Sequence, residues 1–478
     1  MGLLSTIVNQ PTFGKLVFKL LKRKAFKLVE SPLEETLEKQ KKLLESKFKR
    51  LEATTIGKKM GVKKQSSLNE LPITDYDFYH PFYNNPTSDA FMYPLDSYVR
   101  SRTSGTQGKE KWFMMPKIEL KKSVLDTFIP LLFLLFHDGE KSTLEHGDTV
   151  YANVATRPFT SGYMGEETAK YNLINIVPNM ALPFKDKVNY FIRNHQKIDG
   201  ALILASTLIS KIFPEIQKPI QLKGLGVMDA QIAEIYKKEI EEYTGTKPKT
   251  AYYSTETFVC SHPSIQYPLG FFFDWQRGIY EFVPVKEEDE NKTVSLDQVR
   301  VGELYNLYFT SFYSELTRYN TKNCFRCIAK GDDIIGTDFP IFKLHARLEK
   351  TISLHNFTRI SEDELLTAFQ RAEIRFVDFT ARVEVKKGLQ YLVIYTEITK
   401  PISQKELEEN LHRELYNMNQ DYQNLVDFFE YTPLKVEIMP AGVFTKYLQE
   451  KLGSVPKVDR INMNDEEFKK LLDIAKMS

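Results

Sequence analysis

After Arg347 the sequence changes period, and no other feature limits the available folds so tightly. Ser361 and Glu364 set up a capping box ahead of Leu365, Leu366 and Phe369, the start of a helix. Two β-type runs, 376–385 and 389–398, are joined at Lys386-Lys387-Gly388, a hairpin signal. Ser403 with Glu406 opens a helix carrying Leu407, Leu411 and Leu415. Residues 434–438 alternate as a third strand, and Asn464 with Glu467 opens a last helix bearing Phe468, Leu471 and Leu472. Two strands, a helix, a strand and a helix fit a small α+β domain of about 130 residues. From 116 to 340, by contrast, helical patterns alternate with short apolar runs such as 200–204 and 304–309. That alternation is the mark of an α/β domain with internal sheets. The expected division is a large domain, 1–347, and a small one, 348–478.

A chain of 478 residues has room for two or three domains and needs neither disulfide nor metal to build a core. Lys plus Arg number 65 and Asp plus Glu 63, a net charge of +2 that provides no global field for nucleic acid. Three cysteines, Cys260, Cys324 and Cys327, cannot frame a secreted fold, so a cytoplasmic setting is expected. The lone CxxC formed by the last two reads as a pair of small buried thiols rather than a zinc site. The most apolar run, 128–136, is broken by Pro130 and too short for a bilayer; it reads as a buried helix.

The amino terminus, MGLLST, fits the short myristoylation pattern at Gly2 and Thr6. The basic, amphipathic LVFKLLKRKAF that follows suits a surface anchor or, more simply, a first helix with snorkelling lysines. A second helix spans 31–51, with Ser31 as cap, Pro32 at the first helical position and Glu34 closing a capping box. Leu33, Leu37, Leu44, Phe48 and Leu51 share one face, and the lysines between 39 and 64 read as a solvated one.

Two short strings carry chemistry. Thr103-Ser104-Gly105-Thr106-Gln107-Gly108-Lys109-Glu110-Lys111 packs hydroxyls and glycines into a loop whose N–H groups can wrap a polyphosphate, with a terminal lysine to neutralise charge. It lacks Walker spacing, and a polar surface turn is the plain alternative. Tyr252-Tyr253-Ser254-Thr255-Glu256 ends an apolar run with a hydroxyl beside a carboxylate, which suits a phosphate contact and a magnesium ligand.

Together these strings resemble the TSGTTGxPK and YGxTE motifs of the adenylate-forming superfamily. Further matches follow in order: Glu281-Phe282-Val283-Pro284, Val301-Gly302-Glu303-Leu304-Tyr305 and Leu316-Thr317-Arg318-Tyr319. Asn419-Gln420-Asp421-Tyr422, Gly442-Val443-Phe444 and the GSVPKVDR of 453–460 complete the series. This ordered set resembles one branch, the auxin-responsive Gretchen Hagen family of acyl-acid amido synthetases.

The resemblance implies an α/β adenylate-forming domain followed by a small mobile α+β domain. It implies an ATP- and magnesium-dependent ligase that adenylates a carboxylic acid and passes the acyl group to an amino acid. It assigns Thr103, Ser104, Gly105, Thr106, Gly108 and Lys111 to the ATP phosphates, with Tyr252 at the nucleotide. Thr255 would touch the α-phosphate and Glu256 would hold magnesium. Arg318, Asn323 and Arg347 would approach the ribose, Glu349 would mark the hinge, and Lys457 would stabilise the α-phosphate during adenylation. Lys457, Glu256 and Lys111 are the implied catalytic residues.

One departure stands out. The family's RYRLGD is here Arg318-Tyr319-Asn320-Thr321-Lys322-Asn323, so the ribose-binding aspartate becomes Asn323. Loss of a charge-assisted pair costs about 1–3 kcal/mol. A shifted alignment would instead use Gly331-Asp332. Two rival functions share these motifs: an acyl-CoA ligase of the phenylacetate type, and a non-catalytic binder of nucleotide or acyl acid.

Overall fold

The computed structural model describes residues 11–102, 111–154, 156–287, 289–347, 351–354, 358–386, 389–429, 431–451 and 457–477. Among them, residues up to His345 form one compact unit and those from Ala346 onward a second. Gly2 and Thr6 lie outside the described residues.

The first unit begins with helices Pro11–Val29 and Leu33–Leu51. The second helix is not capped as its sequence suggests. Its N-cap is Pro32, and the Ser31 hydroxyl donates back to the Lys27 carbonyl at 3.0 Å, at the end of the preceding helix. The exposed first amide, Leu33 N–H, is accepted instead by both carboxylate oxygens of Asp338, at 3.0 and 3.1 Å. A side chain remote in sequence therefore does the capping, satisfying a donor that the helix itself leaves unpaired.

The inward face of this helix buries Thr36, Gln40, Lys47, Phe48 and Leu51. Gln40 Nε2 donates to the carbonyls of Trp275 and Gly278 at 3.0 and 2.8 Å. Lys47 corrects the expectation of a fully solvated lysine face: its ammonium is buried and donates to the Leu316 carbonyl. Helix Ile129–Leu135, within the apolar run, is buried on every side. Among the described residues no helix is long and apolar enough to cross a membrane.

Two sheets position the site. A parallel sheet runs Asn175–Val177, Thr149–Ala152, Gly200–Ile203, Gly224–Val227 in spatial order. The chain leaves Thr149–Ala152 to one side and returns to build on the other, so the carboxyl end of that strand is a topological switch point. Beyond the last strand, Lys249 continues the parallel pairing, with Val227 N–H donating to its carbonyl at 2.8 Å. The chain then leads straight into Tyr252. The other sheet has six strands in the order Gly278–Pro284, Leu304–Ser311, Tyr319–Ala329, Ile341–Arg347, Phe271–Phe273, Ser261–Pro263. Aromatic rings fill its core: Phe273 packs against Tyr280, Phe282, Phe325 and Phe342. Cys260, Cys324 and Cys327 are free and buried, and burial pushes the Cys324 thiol up to about 11. Cys324 and Cys327 stand three residues apart on one strand and so point to opposite faces.

The second unit follows the sequence pattern closely. Ser361 and Glu364 form a reciprocal capping box on helix Glu362–Arg371. Ser403 caps Gln404–Met418 and Asn464 caps Asp465–Lys476. Strands Phe376–Lys386 and Leu389–Ile398 pair antiparallel, and Leu434–Ile438 joins the latter in parallel. The sequence pattern did not separate helices Gln420–Phe429 and Val443–Glu450 or the hairpin Thr351–Leu354 with Thr358–Ser361. The Asn419–Tyr422 element has a structural use: Asn419 Oδ1 accepts from Tyr422 N–H at 2.7 Å, and its Nδ2 donates to Glu364 at 2.7 Å.

Candidate active site

Tyr253–Ser254 and Phe258–Val259 form a short hairpin whose turn carries Thr255, Glu256 and Thr257. The Ser254 hydroxyl closes it, lying 2.9 Å from the Thr257 hydroxyl and accepting from Thr257 N–H at 3.2 Å. Thr255 and Glu256 are half-buried at the turn, so a hydroxyl and a carboxylate stand together where solvent reaches them. Tyr252 enters the hairpin from below. Its ring is buried edge-on against Phe325 at 4.9 Å, and its N–H is accepted by the Ser261 hydroxyl.

Strand Tyr319–Ala329 approaches from the other side. Asn323 is 3% exposed, and its Nδ2 donates to the Tyr252 hydroxyl at 2.8 Å and to the Thr321 carbonyl at 3.1 Å. The strand is irregular here: its register with Leu304–Ser311 shifts between Asn306 and Tyr308. Four steps on this strand, Asn320 to Cys324, face two on its partner, and within the two-residue excess Lys322 takes φ +56°. A left-handed backbone at that position is what a glycine accommodates freely. In the alignment read from the sequence, the RYRLGD glycine falls on Lys322 and its aspartate on Asn323. Tyr319, four residues before Asn323 on the same strand, has its hydroxyl pKa pushed well up, first by burial and then by the charge of Glu256.

Gly331-Asp332 has another occupation. Asp332 is fully buried, and one carboxylate oxygen accepts from the Ser264 hydroxyl, Ile265 N–H and Gln266 N–H at 2.6, 2.7 and 3.0 Å. The other accepts from Ile334 N–H at 3.1 Å. A carboxylate saturated this way anchors a loop.

Arg318 is likewise committed to the interior. It is fully buried with φ +45°, its Nε donates to Glu281 at 3.1 and 3.3 Å, and its Nη1 donates to the Leu71 carbonyl at 2.7 Å. Burial raises the Glu281 pKa, and the facing guanidinium pulls it back. The expected ribose approach by this side chain therefore meets a guanidinium already used for packing.

The phosphate string joins strands Tyr98–Arg102 and Trp112–Pro116, which pair antiparallel with Arg102 opposite Trp112. Thr103, Ser104, Gly105, Thr106 and Gly108 lie outside the described residues. Lys111, just before the second strand, sets its ammonium 5.4 Å from the Tyr76 ring centre. Tyr76 in turn ties down the strand start: its hydroxyl accepts from Trp112 N–H at 2.9 Å. Arg347 ends strand Ile341–Arg347, with its side chain outside what is described, and Glu349 lies outside the described residues altogether.

In the second unit, Lys457 is exposed. Its carbonyl accepts from Lys451 Nζ at 3.0 Å. Arg460, three residues on, donates to Asp378 at 2.6 Å and Glu362 at 3.2 Å, and Ala381 N–H donates to its carbonyl at 2.7 Å.

The sequence reading missed the supports of the site. Thr74 holds the Arg318–Asn320 backbone: its N–H donates to the Arg318 carbonyl, its hydroxyl to the Thr317 carbonyl, and its carbonyl accepts from Asn320 N–H. Tyr79 accepts from Thr317 N–H at 2.9 Å. The signal was the tyrosine-rich, turn-rich stretch 71–96, which has no local periodicity to place it.

Two family models match the chain, the GH3 family central domain over residues 271–333 and the GH3 family C-terminal domain over 363–464. The indole-3-acetic acid-amido synthetase GH3.10 of Arabidopsis thaliana is 27% identical over 244 residues, covering 46% of this chain and 40% of that protein. The chain thus matches well under half the length of that relative. The solved acyl acid amido synthetase GH3.15, in complex with 2,4-DB, is similar in fold with a TM-score of 0.72 at 15% identity, over 94% of this chain and 95% of that one. A 2-hydroxyisobutyryl-CoA ligase in the postadenylation state gives a TM-score of 0.67 at 14% identity, over 95% and 94%. The chain thus shares a mixed α/β fold with these structures along nearly its whole length, and it matches two GH3 family domains in order, over 271–333 and 363–464.

Proposed function

We propose that this chain activates a carboxylic acid with ATP and transfers the acyl group to an amine. In the first half-reaction an acid oxygen attacks the α-phosphorus, the bond to the bridging oxygen breaks, and pyrophosphate leaves. In the second, the amine nitrogen attacks the acyl carbon, the bond from that carbon to the anhydride oxygen breaks, AMP leaves with that oxygen, and the nitrogen loses a proton. The observation that carries this reading is the Asn323–Tyr252 contact. It brings the turn bearing Thr255 and Glu256 against the strand bearing the ribose-motif position.

The roles follow from where each group stands. Thr255 offers a hydroxyl to the α-phosphate, and Lys111, with the 103–110 string, offsets the charge of the β- and γ-phosphates. Asn323 acts on the nucleotide through Tyr252, whose hydroxyl it fixes, while Arg318 holds the strand in place. Glu256 offers one solvent-reachable carboxylate, and magnesium characteristically uses one or two carboxylates together with substrate phosphate oxygens. Magnesium bound there would neutralise phosphate charge as pyrophosphate departs. Arg347, Glu349 and Lys457 are assigned to the ribose, the hinge and the adenylation step. Three buried free thiols suit a reducing compartment such as the cytoplasm.

The fold shared with a CoA ligase supports a second reading, in which a thiol replaces the amine as acceptor. A pyrophosphate-release screen decides between them. Purified protein is given ATP, magnesium and a panel of carboxylic acids, with amino acids, with CoA, or with neither. Acid-dependent pyrophosphate with an amide product is expected. A thioester product would move the chain to the CoA ligases, and ATP binding without turnover on any acid would make it a binder.

A further inference from the structure

One side chain, Tyr76, holds Lys111 at both its backbone and its ammonium. The Tyr76 hydroxyl accepts from Trp112 N–H at 2.9 Å and donates to the Trp112 carbonyl at 3.3 Å. That N–H belongs to the peptide group that Lys111 shares with Trp112, so the lysine backbone is fixed where the phosphate string ends. The Lys111 ammonium lies 5.4 Å from the centre of the same ring, within the range of a cation–π contact.

Tyr76 is itself anchored. It is buried and opens helix Tyr76–Asn84, whose N-cap Asp75 accepts from Phe78 N–H at 3.2 Å. Thr74, just before that cap, pairs with Tyr319 as a parallel bridge at the start of strand Tyr319–Ala329. Tyr79, on the same helix, accepts from Thr317 N–H at 2.9 Å. Phe113 completes the cluster, its ring 5.3 Å from that of Tyr76 and 6.2 Å from that of Tyr319. The helix start thus joins the exit of the phosphate string to the strand that bears Asn323.

A lysine carries a compact charge on a flexible stem, and ordering that stem costs side-chain entropy. An aromatic ring attracts the cation without bearing a charge of its own, so the ammonium is placed without being neutralised. We propose that Tyr76 is the positioning residue for Lys111, setting both its backbone and its ammonium for the triphosphate of ATP. The proposal rests on the reading that Lys111 meets ATP, and it adds the residue that aims the lysine.

The test is a mutant cycle of Tyr76→Leu, Lys111→Met and the two together, with Tyr76→Phe alongside. ATP affinity is read by calorimetry, and the KM values for ATP and for the acid by pyrophosphate release. Calorimetry separates placement from folding, since unfolded protein lowers the stoichiometry and leaves the affinity alone. Tyr76→Leu should weaken ATP binding about tenfold and raise the KM for ATP in step, with the KM for the acid unchanged. In the Lys111→Met background the same change should add no more than about twofold, because the residue it acts through is gone. Tyr76→Phe keeps the ring and should recover most of the affinity. Equal losses in both backgrounds overturn the proposal, and so does a Phe variant as weak as Leu or a Leu variant with natural ATP affinity. Natural protein that binds ATP but releases no pyrophosphate with any acid sinks the acid-activating reading alone, and the calorimetric cycle then still decides on Tyr76. Natural protein that binds no ATP overturns both.

Discussion

The side-chain amide of Asn323 donates to the hydroxyl of Tyr252 at 2.8 Å, joining two segments that lie 71 residues apart in the chain. Each segment carries a string that resembles a nucleotide motif, and the bond ties one to the other. It also changes what a carboxylate at position 323 would do.

Asn323→Asp removes both donations of Nδ2, to Tyr252 and to the Thr321 carbonyl, inside a site almost closed to water. The variant should lose about 1–3 kcal/mol of stability in a denaturant titration, because a carboxylate faces a carbonyl it cannot bond. ATP affinity, measured by calorimetry, should not improve. Asp332→Asn is the companion, since Asp332 spends both oxygens on the 264–266 loop and Ile334. It should destabilise by a similar amount and leave ATP affinity of the folded fraction unchanged. Tighter ATP binding in Asn323→Asp, or lost binding in a stable Asp332→Asn, would contradict these assignments.

Glu256→Gln keeps the shape of the turn while removing its charge. Glu256 is half-buried at the turn between Ser254 and Phe258, and the fold should survive the change. Pyrophosphate release should fall by about 10²–10³, the scale of losing one preorganised electrostatic contact to the transferring phosphoryl group. Near-normal release at saturating magnesium would remove Glu256 from the site.

How much was legible beforehand depended on the range of each interaction. The capping box at Ser361, the N-caps at Ser403 and Asn464 and the β-hairpin of the second unit are written within a few neighbouring residues, and they appear as read. The cap on Leu33 comes from Asp338, and the buried partner of Lys47 is the Leu316 carbonyl; no local pattern encodes either. The same holds at the site. The motif resemblance pointed to Lys322-Asn323, but only the backbone explains it: Lys322 sits at φ +56° on a bulge, where glycine would be unstrained. Arg318 matched its motif and yet faces Glu281, because a motif specifies residue type and not the direction of the side chain.

Lys457→Ala should separate the two half-reactions. The side chain is exposed, while its neighbours Val458 and Asp459 are buried and Arg460 is held by Asp378 and Glu362, so removing the ammonium leaves the segment's anchors intact. ATP–pyrophosphate exchange should drop by about 10² or more, as for a charge that meets the developing pentavalent phosphate. Acyl transfer from a synthetic acyl-adenylate should change little. Equal loss in both assays would assign Lys457 to folding.

Lys47 predicts a pH dependence of stability with a definite sign. Burial lowers its pKa from 10.5 to about 7, against the opposing pull of Glu315 and Glu119 and with a smaller push from Arg50. Below about pH 7 the ammonium is charged in folded and unfolded chains alike, and its desolvation weighs on the fold in full. Between about pH 7 and 10 the unfolded chain keeps a proton that the folded one has released. Stability from this group therefore rises with pH, by at most about 1.4 kcal/mol per pH unit. Glu119 and Glu315 have raised pKa values from burial; because they start from ordinary carboxylate values, their window lies lower and opposes stability as pH rises. Lys47→Met keeps the volume, discards the bond to the Leu316 carbonyl and removes the titration. The difference in stability between natural protein and variant, from urea titrations, should be flat below pH 7 and climb in favour of the natural protein from 7 to 10. Parallel curves across that whole range would mean that Lys47 stays charged in the fold, its ammonium fully compensated by the carbonyl and the two buried carboxylates.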